Sequence, residues 1–193
     1  MTRHNRLSSF LSAFFLITFV FLHDLYAVNI SADVPSGLTL ELKIVDQLTG
    51  AQIPSLDFGE LVRTGNKFQS SKFFKVFLTV NAAGDPLELT QLGTALARNG
   101  GTETIPNGAF IVKPMYITSD NTGASQPSGS TVGAVGTAVG TRLLFNDLTG
   151  SSRVITLVYT LSGDPNTNAT ETIPWSQKSG SYSGVIQFTL TTS

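Results

Sequence analysis

The sequence predicts an all-β sandwich, and two observations support that prediction. Short runs in which apolar and polar side chains alternate recur along the chain, and a period of two is typical of strands with one buried face. Eighteen glycines and eight prolines separate these runs, while threonine, valine and phenylalanine, which favour strands, fill them. A helical pattern occurs only locally.

The first residues have the pattern of a cleaved export signal. Arg3 and Arg6 give a positive start, an apolar run covers residues 10–22, and Leu25-Tyr26-Ala27 offers a small residue for cleavage. The run is shorter than the roughly 20 residues that a membrane helix needs. We therefore predict a signal peptide at residues 1–27, with a retained anchor as the alternative.

Removal of this signal restricts the chemistry that the mature chain can perform. Taking 27 residues from 193 leaves 166, enough for one domain with a core. His4 and His23 both leave with the signal, and the chain has no cysteine. The mature protein then lacks the commonest general base, the commonest zinc ligands and any thiol nucleophile. We predict that it is not an enzyme and has no metal or other cofactor.

The charge of the mature chain argues against nucleic acid as a partner. Ten basic and twelve acidic residues remain once Arg3, Arg6 and Asp24 are removed from the totals of 12 and 13, so the net charge is −2. No basic stripe is present.

Six runs are predicted as strands, and two further segments are ambiguous. Residues 87–98 fit either a short helical turn, through Leu89, Leu92 and Leu96, or an irregular strand. Residues 120–141 are rich in small and polar residues and predict a long mobile surface loop, with short strands as an alternative. The predicted strands cover residues 28–34, 38–44, 74–80, 109–118, 153–161 and 182–191.

Two features offer chemistry that competes with a purely structural interpretation. Asp57 and Glu60 flank Gly59 and could form a carboxylate pair or a calcium site, although a turn with solvated acids is the favoured interpretation. Trp175 is interpreted as a packing residue. The alternative is a sugar-stacking platform, which would make the chain a secreted monomeric carbohydrate-binding protein.

The two ends of the mature chain suggest an interaction between subunits. Chain ends usually fray, yet Ile186, Phe188 and Leu190 pattern the last strand strongly. An immunoglobulin-like sandwich needs about seven strands, and one that lacks a strand exposes a groove and unpaired edges. A strand from another subunit would fill that groove. Burying the three larger side chains of such a strand contributes about 5–8 kcal/mol before ordering costs. Near the N-terminus, every second residue is apolar and would point into such a groove: Val28, Ile30, Ala32 and Val34.

These residues resemble the pilin subunits of chaperone–usher fimbriae. Gly180 stands fourteen residues from the end, and Tyr182-Ser-Gly-Val-Ile is similar to the cysteine-free major pilins of the colonization factor antigen I type, the class 5 or alternate chaperone–usher group. Residues 28–35, 38–44 and 68–81 also fit that group. Thr192 departs from the penultimate tyrosine common among other pilins. The archaic pilins are a near neighbour, but their first-strand cysteine is absent here.

The resemblance implies an incomplete immunoglobulin-like β-sandwich completed by a donor strand from a neighbouring subunit. Residues 28–36 would be the donor strand, with the four residues named above as its inward side chains, and residues 37–193 the pilin domain. The chain would pass through the periplasm to the cell surface and form a shaft that supports adhesion. Its expected partners are related pilin subunits, a periplasmic chaperone, an outer-membrane usher and a host receptor. The implied acceptor edge comprises Gly180, Tyr182, Gly184, Ile186, Phe188 and Leu190.

Overall fold

The alternating runs form a β-sandwich of two main sheets, with a small third sheet beside them. The computed structural model describes residues 26–33, 38–81, 84–118, 130–149, 153–162 and 171–192. Within these ranges lie sixteen strands and one 3₁₀ turn, at Asn107–Ala109. The strands are β1 (Tyr26–Asp33), β2 (Thr39–Asp46), β3 (Gln52–Ile53), β4 (Leu56–Asp57), β5 (Val62–Thr64), β6 (Lys67–Gln69), β7 (Phe73–Asn81), β8 (Leu87–Gly93), β9 (Ala97–Arg98), β10 (Phe110–Thr118), β11 (Ser130–Val132), β12 (Gly136–Thr137), β13 (Gly140–Asp147), β14 (Arg153–Leu161), β15 (Ile173–Pro174) and β16 (Tyr182–Thr192).

The order of the strands places the two ends of the described chain side by side. The first sheet runs β11-β13-β8-β16-β1-β4, with β9 also paired to β16. The second runs β12-β10-β14-β7-β2-β3, and the third runs β15-β6-β5. The first strand therefore lies directly against the last one. Because β2 belongs to the opposite sheet, the chain changes sheets immediately after β1.

The core lies between the two main sheets and contains the predicted inward side chains of both. In β14, Ile155, Leu157 and Leu161 are fully buried, as are Val76 and Leu78 in the neighbouring strand β7. Aromatic rings pack edge to face at the centre of this core, as their quadrupoles favour. Phe58 contacts Phe74 and Phe110 at ring-centroid distances of 5.0 Å and 5.9 Å.

One polar group crosses the core and ties the two sheets together. The phenol of Tyr159 donates a hydrogen bond to Oε1 of Gln91, on the facing sheet. Nε2 of Gln91 donates in turn to the carbonyl oxygen of Ala138 at 2.8 Å. Burial raises the pKa of the Tyr159 phenol well above its ordinary value, so the group stays neutral as a donor. Both buried polar side chains therefore have hydrogen-bond partners within the protein, as buried polar groups generally do.

The structure decides both ambiguous segments in favour of strands where it describes them. Residues 87–93 form β8, whose inward side chains at positions 87, 89 and 91 are buried, whereas Leu92 is 47 % exposed. The helical alternative is therefore wrong for this part of the segment. Residues 130–141 contain β11 and β12, so the predicted long loop is wrong there. Residues 120–129 of that prediction lie outside the described residues.

Candidate strand-insertion groove

The first strand occupies a groove between the last strand and β4. It runs parallel to β16, in a register that pairs Tyr26 with Tyr182 and Asp33 with Thr189. On its other side it is antiparallel to β4, where Val28 pairs with Leu56. The amide of Phe58 also donates to the carbonyl oxygen of Tyr26 at 2.8 Å. The backbone of β1 is thus bonded on both sides at its N-terminal end.

Side chains of the first strand fill only one end of this groove. Tyr26 is 5 % exposed and Val28 is fully buried, whereas Ile30 is half-buried and Ala32 is exposed. Val34 lies outside the described residues. Of the sequence-predicted donor side chains that the structure describes, therefore, only Val28 is completely buried. The N-terminal strand also occupies the groove of its own chain, which differs from the expectation of a neighbour's strand there.

The boundaries of this strand differ from the sequence prediction. The predicted donor segment begins at Val28, but β1 begins two residues earlier, at Tyr26, and ends at Asp33. Tyr26 was assigned to the signal peptide and was missed as a groove residue. Its position could have been recognised from parity, because Tyr26 extends the alternating series of Val28 and Ile30 towards the N-terminus.

The predicted acceptor residues lie on or directly before β16. Its inward side chains, Tyr182, Ile186, Phe188 and Leu190, are all buried in the core. Gly184 also faces inwards. Because it has no side chain, Leu96 can pack against it; a Cβ atom at Gly184 would stand only 3.0 Å from Leu96 Cδ2. The ladder to β1 ends at Thr189, three residues before β16 itself ends.

Charged and polar groups hold the backbone where the last strand begins. Gly180 has φ = 140°, which glycine tolerates, and a Cβ atom there would stand 2.6 Å from Nε of Arg98. That Nε donates to the carbonyl oxygen of Ser179 at 2.8 Å. Glu103 pairs with both Arg98 and Lys178. This cluster fixes the entry to β16.

The Glu103 cluster predicts that the stability of the fold depends on pH only in the acid range. A hydrogen bond from Lys178 is the main cause that lowers the pKa of Glu103 from its ordinary 4.5 to about 2. Because the folded-state pKa is depressed, the stabilisation is complete above about 4.5 and is lost as the pH falls from there through about 2. An NMR titration of the Glu103 carboxyl should show this pKa, and Lys178→Met should raise it. A Glu103 pKa near 4.5 in the unsubstituted protein would contradict the assignment.

Asp57 belongs to β4, at the side of this groove, where it pairs with Ala27. Asp57 accepts a hydrogen bond from the amide of Gly59 at 2.9 Å, and Gly59 has φ = 62°, so the backbone turns here as predicted, although Asp57 is half-buried and not fully solvated. Trp175 is 62 % exposed, so the interpretation as a packing residue is wrong. Its exposed ring keeps the sugar-stacking alternative open.

Neither a metal-binding cluster nor a membrane-spanning helix is found among the described residues. In the part of the chain that the structure describes, no group of three or more acidic, histidine or cysteine side chains is placed to hold a metal ion. Within the same ranges, no helix has the length and apolar character needed to cross a membrane.

Comparison with protein-family models and with curated proteins finds no match for the chain. The groove and the strand that fills it are therefore the basis of the function proposed below.

Proposed function

We propose that the chain is a structural subunit of a chaperone–usher-assembled surface fimbria that polymerises by donor-strand exchange and supports adhesion. The observation that carries the proposal is the position of β1, a strand at the end of the described chain that is inserted between β16 and β4. A strand at such a place can leave without unthreading any other element. Its departure would uncover one edge of β16 and the apolar floor beneath Val28.

The direction of the strand supports exchange between molecules. Within one chain β1 is parallel to β16, and parallel pairing is slightly less stable per residue than antiparallel pairing. A strand from a neighbour is free to enter in the opposite direction. A strand that entered in that direction would pair antiparallel with β16, as β8 already does on the other side of β16.

Incomplete burial supports the same proposal. The intramolecular strand leaves Ile30 half-buried and Ala32 exposed, although both have the parity of groove residues. Each additional aliphatic side chain that becomes fully buried is worth about 1.5–3 kcal/mol. A neighbour's strand that seats these residues in the groove therefore has a source of free energy that the intramolecular arrangement does not use.

On this proposal the fimbrial machinery supplies the remaining steps. A periplasmic chaperone would hold the groove open, and an outer-membrane usher would exchange its strand for that of the next subunit. Val28, Ile30, Ala32 and Val34 would be the donor side chains. The buried face of β16 would be the acceptor. The chain itself then needs no catalytic residue.

Deleting residues 28–34 should abolish polymerisation. Fibres assembled in the native host from the full mature chain should run as SDS-resistant ladders on unheated gels, because a buried strand dissociates slowly. The deleted chain should give only monomer or be degraded, because it has no strand to insert into the groove of another subunit. Val28→Asn should weaken the ladder strongly, whereas Asn29→Ala, on the exposed face of β1, should leave it unchanged.

Two outcomes would contradict the proposal. Ladders that persist after the deletion would show that another surface joins the subunits, and a full-length chain that never forms them would show that exchange does not occur.

The exposed ring of Trp175 favours the second candidate, a monomeric carbohydrate-binding protein. That candidate predicts a soluble monomer whose glycan binding is lost in Trp175→Ala, with no ladders at any stage.

A further inference from the structure

The outer face of the second sheet carries a small open pocket. Its volume is about 250 Å³, and it is lined by Glu41, Lys43, Phe77, Thr79 and Val154. Two adjacent rows of the sheet supply these residues, because Lys43 pairs with Phe77, and Thr79 pairs with Glu41 on one side and Val154 on the other. Their neighbours along β2 and β7 face the core, so these side chains point away from it. We call this place the Phe77 pocket.

Three lysines on the same face give the Phe77 pocket a positive surrounding. Lys43 lines the pocket, while Lys75 and Lys113 both pair with Val158 in the next row of the sheet. In the part of the chain that the structure describes, the side chains of these lysines take part in no salt bridge; the described salt bridges lie at Glu103 and at Asp147. This face is therefore positive, although the mature chain has a net charge of −2.

The charges call for an anion, and the other side chains define the molecule that carries it. A lysine ammonium group donates strong hydrogen bonds to a carboxylate. Ionised Glu41 can only accept hydrogen bonds, and Thr79 can donate or accept them, so a matching ligand has hydroxyl groups beside its acid. Phe77 is half-buried and offers the face of its ring to an apolar surface. A sugar ring that bears a carboxylate has all three of these features.

Other anionic partners match the pocket less well. A phosphate chain has no hydroxyl to donate to Glu41, whose charge would repel it. A lipid surface needs a large exposed apolar area, whereas Phe77 and Val154 are both half-buried. The volume of the pocket limits its occupant to a group about the size of one sugar ring.

We infer that the Phe77 pocket binds a uronic-acid unit of an acidic polysaccharide. The carboxylate of this unit lies against the ammonium group of Lys43, its hydroxyl groups donate to Glu41, and its ring packs on Phe77. Lys75 and Lys113 bind the acid groups of neighbouring units of the same polysaccharide.

The position of the pocket keeps it separate from strand exchange. The groove belongs to the first sheet, whereas the pocket is built on β2, β7 and β14 of the second. An exchanged strand would therefore leave the pocket exposed in every subunit. The repetition of the pocket along a fibre rests on the proposed function, but binding by a single chain does not. Repeated pockets would bind a repeating polysaccharide more tightly than one pocket does.

Binding of defined oligosaccharides to the mature chain, residues 28–193, tests this inference. The probes are labelled tetragalacturonic acid and its methyl ester, which has the same rings and hydroxyl groups but no charge. Fluorescence anisotropy should show that the chain binds the acid, and that it binds the ester about tenfold more weakly, because the charge-assisted hydrogen bonds are lost. Inorganic tripolyphosphate should compete less well than unlabelled tetragalacturonic acid.

Two lysine variants locate the binding site. Lys43→Gln should weaken binding of the acid about tenfold. The control is Lys67→Gln, on β6 in the third sheet, which should leave the affinity unchanged.

Four outcomes would overturn the inference: equal binding of acid and ester, binding of neither, tighter binding of tripolyphosphate, or an unchanged affinity in Lys43→Gln. The first three need no variant, so they hold even where a variant fails to fold. Ladders on unheated gels are scored separately. Ladders without binding of the acid overturn the pocket alone, whereas binding without ladders overturns the proposed function alone.

Discussion

Replacing Asp147 by alanine is expected to lower the free energy of unfolding by about 3–5 kcal/mol, because it removes the carboxylate that pairs with a buried guanidinium. The Asp147 side chain is fully buried, and its Oδ2 lies 2.9 Å from Nε of Arg153, which is 8 % exposed. Asp147 Oδ1 also accepts hydrogen bonds from the amide and hydroxyl of Thr149, at 2.8 Å and 2.6 Å. Chemical denaturation of the mature chain would measure the loss.

A second aspartate provides the matched control for this prediction. Asp46 ends β2 and accepts hydrogen bonds from the amides of Leu48 and Thr49, at 2.8 Å and 3.2 Å, but these bonds lie at the surface. Asp46→Ala should therefore cost only about 1 kcal/mol. Similar losses in the two variants would show that the turn bonds, and not the buried ion pair, account for the effect of Asp147.

Replacing Gly93 by alanine should also destabilise the sandwich severely. A Cβ atom at this position would stand 1.8 Å from the carbonyl oxygen of Ala138 and 3.1 Å from Cδ1 of Ile186. Overpacking usually costs about 1–3 kcal/mol, and we expect at least the upper value because the nearest atom belongs to the backbone. Thermal unfolding should shift down by about 6–12 °C for a chain of this length.

Gly184→Ala is the control for Gly93→Ala. Its Cβ atom would also approach neighbours closely, but the nearest two are side-chain atoms of Leu96 and Thr94, at 3.0 Å and 3.2 Å, which can move, and the nearest backbone atom, the carbonyl oxygen of Ala95, is 3.4 Å away. The melting temperature should fall by less than half as much as in Gly93→Ala. An unchanged melting temperature in Gly93→Ala would mean that β8 and the chain around Ala138 are not packed as closely as described.

Strands with strict alternation were predictable from the sequence, because burial of one face dictates the pattern directly. The predicted strand at 153–161 coincides with β14, and the last predicted strand differs from β16 by one residue. Residues 87–93 were ambiguous because leucines at positions 89, 92 and 96 also fit a helix. Pairing with β13 and β16 decides that segment, and no local pattern contains this information.

The candidate groove was only partly predictable. Parity identified Val28 and the buried face of β16, since inward side chains follow from alternation alone. The sequence did not indicate that the strand would be parallel to β16 in the same chain, because a register and a direction depend on both partners. Tyr26 was missed because the signal-peptide pattern ends one residue beyond it. Residues 26 and 27 both end the predicted signal peptide and begin β1.

The short connection between β1 and β2 has a mechanical consequence for a fibre. Five residues separate Asp33 from Thr39, and a fully extended segment of that length spans at most about 16–18 Å. Under the proposed exchange, this tether would be the only covalent link between the donated strand and its own domain. Successive subunits would then sit almost in contact, and the filament would bend through many small rotations at closely spaced joints.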